Sequence, residues 1–368
     1  MHLLLYALSV LLLQFSHTYA AAQGSCACSP VTIPVHVDVM VPKDPTDEFA
    51  GLKSNASELR RVDATYDIYG IFCEPDTIVS SRNKDVVQLL VHGLTYTGQY
   101  WSPPVEEFRN YSYAAFSCAR GAYSSLAVDV LGVGLSSRPV NASDVQYPTS
   151  SAALSKVARH LKTTSLLPGV PAFNKVIGIG HSAGSGLLNF GAIVEGSQSP
   201  FDGLILTASL SPAVDLNISS VPGLSSARDV DPLRWGTLDP AYFTATNRSI
   251  FYPADPSTFS PRMFLLDEFT EDVGTVGIFA QTTTTSLTTG YTGPVVKVVG
   301  SEDQFLCAGT DRCGDVAALT AAERTLWPAA RSFEVVVEQG SGHDMNLDFF
   351  AEGPFNTFVG FVKQFSDL

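Results

Sequence analysis

Ser182 stands at the centre of the pentapeptide Gly-His-Ser-Ala-Gly at residues 180–184, directly after the strand-like residues 176–179. The residues that follow are apolar and favour a helix. A serine in a sharp strand-to-helix turn exposes its hydroxyl for attack on a carbonyl carbon, and flanking glycines let neighbouring elements pack closely. The pattern therefore predicts Ser182 as a nucleophile, with a structural serine in a tight turn as the alternative interpretation.

A nucleophilic serine needs a base that accepts its proton, and His343 is the only histidine that follows Ser182 in the chain. It lies in a glycine-containing loop after the strand-like residues 333–337. Serine hydrolases with this kind of turn place the acid and then the histidine after the serine. We therefore expect His343 to be the base, with a pKa near the usual value of about 6.5. A capping or core histidine is the alternative.

The base in turn needs a carboxylate that fixes the imidazole tautomer and stabilises the imidazolium. Asp303 is the best candidate, because it follows residues 295–299, which have the pattern of a buried parallel strand. Glu302 and Asp311 are rivals for this role. Asp303 could alternatively cap the helix that follows it.

A turn after the strand-like residues 86–91 could bind the oxyanion that forms during attack on a carbonyl. The expected donors are the backbone N–H groups of Leu94 in this turn and of Ala183 after the nucleophile. His92 and His181 lie within the same two motifs. Both are interpreted as structural, and His181 is expected to pack beside the serine.

Four motifs occur in a fixed order: residues 92–93, residues 129–136, residues 180–184, and residues 300–303 with His343. With these motifs the chain resembles the α/β-hydrolase superfamily, in particular its secreted fungal members, across nearly all of the mature sequence. The resemblance implies a mostly parallel sheet flanked by helices, with an inserted cap domain. It also implies that His92 braces the oxyanion turn. The residues Asp129, Gly132 and Gly134 are expected to shape a turn beside the active site without taking part in the chemistry, because glycine tolerates backbone conformations that other residues cannot adopt.

The hydrophobic pattern agrees with an α/β fold, because strand-like runs alternate with helical periodicity. Before the turn of Ser182, the predicted strands are at residues 33–40, 64–72, 86–91 and 125–130. After residue 210 the alternation stops for about 80 residues that are rich in aromatic side chains. We interpret this stretch as a cap over the substrate pocket. The predicted organisation is a signal peptide at residues 1–20, a first core part at 21–210, the cap at 211–293 and a second core part at 294–368.

The N-terminus has the pattern of a secretory signal, because residues 3–15 are apolar but too short to span a bilayer and residues 18–22 supply small side chains for cleavage. A retained signal anchor is the alternative. After cleavage we expect no membrane segment. Five Asn-X-Ser sequons predict a secreted glycoprotein, at Asn55, Asn110, Asn141, Asn217 and Asn247.

Six cysteines, an even number, suit an oxidising compartment. We predict that Cys307 and Cys313 form a disulfide that clamps the loop after the candidate acid. The remaining four allow three connectivities, of which the one that joins Cys26 to Cys28 is disfavoured by its tight geometry. A zinc site is the competing use of these thiols, and no histidine spacing supports it.

A net charge of −14 argues against binding to nucleic acid, whose phosphates would be repelled. We expect no metal and no organic cofactor. The expected partner is a small-molecule ester or lactone, and the sequence leaves the oligomeric state open.

These observations predict a secreted serine hydrolase for a moderately apolar carboxylic ester or lactone, acting through an acyl-enzyme intermediate. The family resemblance also admits aminopeptidase and thioesterase activities. The alternative from another class is a non-hydrolytic auxiliary or ligand-binding protein of the kind found in fungal polyketide pathways, since fold alone does not determine function.

Overall fold

The computed structural model describes residues 26–75, 81–211 and 223–368. The predicted signal peptide and the sequon at Asn217 lie outside these ranges. Within them, no helix combines the length and the apolar character that a membrane span requires.

The strands of the described part of the chain are β1 (Cys26–Pro42), β2 (Leu59–Pro75), β3 (Val86–Val91), β4 (Ser124–Val128), β5 (Lys175–His181), β6 (Gly203–Thr207), β7 (Leu224–Ser226), β8 (Tyr242–Ala245), β9 (Gly274–Thr275), β10 (Val295–Gly300) and β11 (Phe333–Glu338). Eight of them form the central sheet, in the order β1-β2-β4-β3-β5-β6-β10-β11. The first two strands pair antiparallel, β2 pairs antiparallel with β4, and all pairs from β4 through β11 are parallel. A smaller antiparallel sheet contains β7, β8 and β9.

Helices cover both faces of the sheet. They are α1 (Ser81–Lys84), α2 (Tyr113–Phe116), α3 (Tyr147–Thr163), α4 (Ala183–Glu195), α5 (Ala227–Val230), α6 (Pro232–Trp235), α7 (Pro261–Thr270), α8 (Val276–Ala280), α9 (Val316–Arg324) and α10 (Glu352–Asp367). The long helices α3 and α4 pack on one face of the sheet, and the C-terminal helix α10 packs on the other. Short 3-10 turns and one π-helical turn, Ser117–Gly121, connect several of them.

The alternating direction of side chains along the central strands explains why helices are needed on both faces of the sheet. Leu89 and Val91 of β3 join the core beneath α3 and α4, whereas Leu90 joins the core beneath α10. Because successive side chains point to opposite faces, a strand with apolar residues at every position must be covered on both sides. Every residue of β3, β4, β6 and β10 is buried accordingly.

The predicted α/β-hydrolase architecture, with a mostly parallel sheet flanked by helices, is confirmed. The strand predicted at 86–91 has those bounds, and the one predicted at 125–130 begins and ends one to two residues earlier. The two N-terminal strands extend beyond the predicted 33–40 and 64–72. Their ends lie in the long antiparallel β1–β2 pair, whose backbone hydrogen bonds continue past the apolar part of each run.

Between β6 and β10, the described residues contribute no strand to the large sheet and form the three-stranded sheet with helices α5 to α8. We call residues 223–293 the insertion. Several of its aromatic side chains, among them Trp235, Tyr242 and Tyr252, are buried in its own packing or against the core. That this stretch acts as a cap over the pocket stays a proposal.

Three disulfides join all six cysteines, in the pairs Cys26–Cys118, Cys28–Cys73 and Cys307–Cys313. The first two attach the start of β1 to the core, and Cys28 lies opposite Cys73 in the β1–β2 register. The asparagines of the four described sequons are exposed on the surface, so an attached glycan would not disturb the core: Asn55, Asn110, Asn141 and Asn247.

Candidate active site

The structure brings together the three residues that the sequence singled out for a proton relay. The Ser182 Oγ lies 2.8 Å from the Nε2 of His343, and the His343 Nδ1 lies 2.7 Å from the Oδ2 of Asp303. Each residue follows the carboxyl end of a parallel strand, β5 for the serine, β10 for the aspartate and β11 for the histidine. Parallel strands end at one edge of the sheet, so residues far apart in sequence meet there.

The backbone of Ser182 is strained, with φ 49° and ψ −117° at the junction of β5 and α4. A Cβ on Gly180 would lie 2.5 Å from the backbone nitrogen of Ser185, and a Cβ on Gly184 would lie 2.4 Å from the carbonyl oxygen of Val91. Both glycines are therefore required for the close packing of this turn. Strain of this kind persists only when the surrounding structure enforces it, and it clusters at functional sites.

The carboxylate of Asp303 is buried and rigidly held. Its Oδ1 accepts hydrogen bonds from the backbone N–H groups of Phe305 and Leu306, which leaves Oδ2 for His343. The two rivals, Glu302 and Asp311, are both exposed to solvent. The geometry therefore selects Asp303 as the partner of the histidine.

His343 is almost fully buried, and its environment changes its proton affinity. Burial favours the neutral ring, but the charge of Asp303, its hydrogen bond to Nδ1 and the charge of Asp344 outweigh that effect and raise the pKa of His343 above 6.5. The sequence had led us to expect the ordinary value. The difference arises because the buried carboxylate of Asp303 and, to a smaller extent, that of Asp344 stabilise the protonated ring.

The predicted oxyanion donors belong to two turns that meet at the serine. The Cβ position of Gly93 is 3.2 Å from the Cβ of Ser182, which places the turn after β3 against the nucleophile. Leu94 and Ala183 line one cavity next to this contact. Ala183 is also the first residue of α4, where backbone N–H groups have no acceptor within the helix and the helix dipole favours negative charge.

His92 braces this turn, as expected. Its Nε2 accepts a hydrogen bond from the backbone N–H of Val130, so its Nδ1 carries the proton and donates to the carbonyl oxygen of Gly93. Burial lowers the pKa of His92 to about 4, so the ring stays neutral at physiological pH. It connects the turns after β3 and β4 and does not take part in proton transfer.

The cavity beside Leu94 and Ala183 is lined mainly by apolar side chains. The hydroxyls of its two threonines are already engaged, Thr95 donating to the Leu94 carbonyl and Thr275 to that of Val145. A polar group on a ligand would find no free partner in these hydroxyls. Further apolar side chains complete the wall, among them Val130, Val133, Leu187, Val273 and Ile278.

The turn at residues 129–136 is hydrogen-bonded to the segment that follows the oxyanion turn. The buried carboxylate of Asp129 accepts hydrogen bonds from the backbone N–H groups of Gly98 and Leu135, and so joins this turn to the segment after the oxyanion turn. Burial raises the pKa of Asp129 to about 6. The position of a Cβ on Gly134, whose φ is +57°, would be only 2.1 Å from the Asp129 Oδ2.

We therefore expect Gly134→Ala to destabilise the protein by about 3 kcal/mol, because the new methyl group meets a buried carboxylate in addition to the backbone strain. Gly169→Ala is the matched control, since Gly169 has φ +89° but no atom within 4 Å of its Cβ position. It should cost only about 1 kcal/mol. Denaturant unfolding measures both values, and equal losses would show that contact with Asp129 contributes nothing.

A buried polar cluster next to His343 was not predicted from the sequence. Asp344, which directly follows His343, approaches the Nε2 of His181 to 3.1 Å and accepts a hydrogen bond from the hydroxyl of Tyr96. From the insertion, Arg248 forms an ion pair with Asp267 at 2.9 Å. Asp344 could have been noticed from its position next to the base, whereas nothing in the sequence indicates the partners from the insertion.

Within residues 26–75, 81–211 and 223–368, no group of three or more His, Cys, Asp or Glu side chains is arranged to hold a metal ion. The cysteines of these ranges are all in disulfides.

Comparison with known proteins gives a family and a fold. A model described as "Alpha/beta hydrolase family" matches residues 88–352, which is most of the chain. No curated protein sequence matches it significantly.

Solved structures with the same fold include enzymes of two kinds. An esterase from Thermogutta terrifontis is 14% identical with a TM-score of 0.53, and the match covers 90% of this chain and 99% of that one. An esterase from Exiguobacterium antarcticum is 18% identical with a TM-score of 0.51, over 81% and 96%. An epoxide hydrolase from Vigna radiata is 14% identical with a TM-score of 0.52, over 90% and 98%. At such identities the similarity extends to the fold alone.

Proposed function

Because the chain belongs to the alpha/beta hydrolase family, we propose that it is a serine hydrolase that cleaves a carboxylic ester or lactone through an acyl-enzyme intermediate. The observation that carries the proposal is the continuous chain of contacts from the Ser182 Oγ through both ring nitrogens of His343 to the buried Asp303. A neutral imidazole in this position accepts the serine proton at Nε2, because Nδ1–H is held by the carboxylate.

In the proposed mechanism the Ser182 Oγ attacks the carbonyl carbon of the substrate while its proton moves to His343. The oxyanion is stabilised by the N–H groups of Leu94 and Ala183 and by the amino end of α4. Collapse of the tetrahedral intermediate breaks the bond to the alcohol oxygen, which leaves with the proton from His343. Water then attacks the acyl-enzyme by the same route and regenerates the serine.

Two features support an apolar acyl group. The cavity beside the oxyanion turn is lined mainly by aliphatic side chains, and its threonine hydroxyls already donate to backbone carbonyls. Placing a charged or strongly polar acyl group there would leave that group without partners, at a cost of about 1–3 kcal/mol or more. We further propose that residues 211–293 form a cap that excludes water from this cavity.

We also propose that the protein is a secreted glycoprotein. Three disulfides and four exposed sequon asparagines among the described residues agree with passage through an oxidising secretory compartment.

A fluorophosphonate probe tests the proposed function. Attack by the Ser182 Oγ on phosphorus, with loss of fluoride, should leave one covalent phosphonate on the native protein, and peptide mass spectrometry should locate it on Ser182. The same preparation should hydrolyse short p-nitrophenyl esters. Unfolded protein is the control, because it lacks the contact with His343. A folded protein that neither reacts nor turns over esters would favour the non-hydrolytic, ligand-binding alternative.

A further inference from the structure

We propose that Asp344 is a second carboxylate serving the imidazole of His343: a positioning residue that fixes His181 beside the nucleophile and stabilises the positive charge that develops on His343 during the reaction. The inference rests on the proposed function, because it concerns the same proton transfer. It is carried by the contacts of a fully buried cluster that the relay of Ser182, His343 and Asp303 does not use.

Asp344 has polar partners from two other elements. Its Oδ1 lies 3.1 Å from the Nε2 of His181, at the end of β5, and its Oδ2 accepts a hydrogen bond from the hydroxyl of Tyr96, after β3. Its backbone N–H donates to the carbonyl oxygen of Phe251 in the insertion. The side chains of Asp344 and His181 have no exposed surface. One carboxylate therefore ties the loop of the base to the strand of the nucleophile.

The contact with His181 is a hydrogen bond to a neutral ring. Burial first, and the neighbouring His343 second, lower the pKa of His181 well below 6.5. An ionised carboxylate can only accept, so the proton of His181 is on Nε2 and its Nδ1 can accept from the hydroxyl of Thr207 at 3.3 Å. The Tyr100 ring also stacks on His181 at 4.1 Å. His181 is thus fixed from three sides.

The position of His181 matters because it is packed against both reacting residues. It directly precedes Ser182 in the chain, and its ring centroid is 5.2 Å from that of His343. Rotation of His181 would displace the ring of the base or the strained turn of the nucleophile. The bond from Asp344 prevents that rotation.

The charge of Asp344 is the second part of its role. The two hydrogen-bonding side chains described above, His181 and Tyr96, are both neutral. The cation Arg248 also favours the ionised form of Asp344, but it is in direct ion-pair contact with another buried carboxylate, Asp267. An asparagine could make similar contacts without the large cost of burying a charge. A carboxylate at this position is therefore best explained by its field at the imidazole of His343, which adds to that of Asp303.

Charged and titratable groups face this cluster from every element packed against it. They are His181 from β5, Tyr96 and Tyr100 after β3, Asp303 after β10, Arg248, Tyr252 and Asp267 from the insertion, and Asp348 from the loop of His343 itself. Burial raises the pKa of Asp344 to about 6 and that of Asp348 to about 7. Asp344 is consequently ionised at neutral pH and loses its charge as the pH falls through about 6.

The test is the pH dependence of kcat/KM with a p-nitrophenyl ester. Only neutral His343 can accept the serine proton, so kcat/KM of the wild type should fall on acidification with an apparent pKa above 6.5. Asp344→Asn removes a negative charge that favours the imidazolium. The acidic limb of the pH profile should therefore move to lower pH by about 1 unit, and the pH-independent value of kcat/KM above that limb should fall about tenfold.

Tyr96→Phe is a second variant, which decides the question if Asp344→Asn does not fold. Removing the hydroxyl that donates to Asp344 makes its ionised form less favourable, so the limb should move in the same direction by a smaller amount. Asp348→Asn is the matched control. Asp348 accepts hydrogen bonds from the backbone of Gly342 and Phe350 in the same loop, so its loss should lower stability without moving the limb.

The outcomes separate the two proposals. A wild type that does not hydrolyse esters would overturn the proposed function and this inference with it. A wild type with an acidic limb that Asp344→Asn and Tyr96→Phe both leave in place would overturn the role of Asp344 alone. Equal shifts in Asp344→Asn and Asp348→Asn would assign the effect to the loop as a whole and also contradict the inference.

Discussion

Ser182→Ala is expected to lower kcat for p-nitrophenyl ester hydrolysis by about 10⁴- to 10⁶-fold, the range found when the nucleophile of a serine hydrolase is removed. The physical reason is that Ser182 forms the covalent bond to the acyl group, a step that no remaining contact can supply. Residual turnover would come from the oxyanion donors and substrate binding alone. Steady-state kinetics with enzyme purified in parallel measures the loss.

The variant should fold normally, because alanine adopts the backbone of residue 182 at no greater cost than serine. Ser185→Ala is the matched control, three residues further along the chain. The hydroxyl of Ser185 donates to the carbonyl oxygen of Thr207 rather than to His343. It should lose stability and keep kcat within a few fold. Wild-type kcat in Ser182→Ala would place the nucleophile elsewhere.

Asp303→Asn has the next largest expected effect, a loss of up to ~10⁴-fold in kcat. The amide fits the same space but can donate to Nδ1, which favours the imidazole tautomer that cannot accept the serine proton. The charge that raises the pKa of His343 also disappears, so the acidic limb of the residual activity should move to lower pH. A pH profile of kcat/KM records both changes.

Glu302→Gln is the control for this prediction, since Glu302 is the adjacent carboxylate but is exposed to solvent. Its charge is screened, and its removal should change kcat by less than about threefold. If Glu302→Gln were as damaging as Asp303→Asn, the acid would have to be reassigned, and with it the interpretation of the loop after β10.

Local sequence features accounted for much of the fold and for the three residues of the proposed relay. The apolar runs at residues 86–91 and 295–299 predicted buried parallel strands because a strand covered on both faces must be apolar throughout. The glycines around Ser182 marked the turn because a Cβ at either position would strike backbone atoms. Chain order then left His343 as the only candidate base.

The sequence could not predict contacts between side chains that are distant in the chain and are not marked by a local pattern. The connectivity of Cys26, Cys28, Cys73 and Cys118 stayed open until the β1–β2 register placed Cys28 opposite Cys73. Against the opposing effect of burial on the ring, the pKa of His343 is raised by the buried carboxylate of Asp303 and, to a smaller extent, by that of Asp344. Burial strengthens these charges, and only the packed structure determines burial.

The cluster of Asp344 is the clearest example of this division. Its members come from the strand of the nucleophile, the oxyanion turn, the loop of the base and the insertion, and Tyr96 and Asp344 are 248 positions apart in the chain. Hydrophobic periodicity and turn residues are local signals, and they determine elements one at a time. A buried polar cluster forms only where the ends of several elements meet, so the sequence by itself determined the strands, the strained turn and the order of the relay, whereas tertiary structure alone decided which charges act on the base.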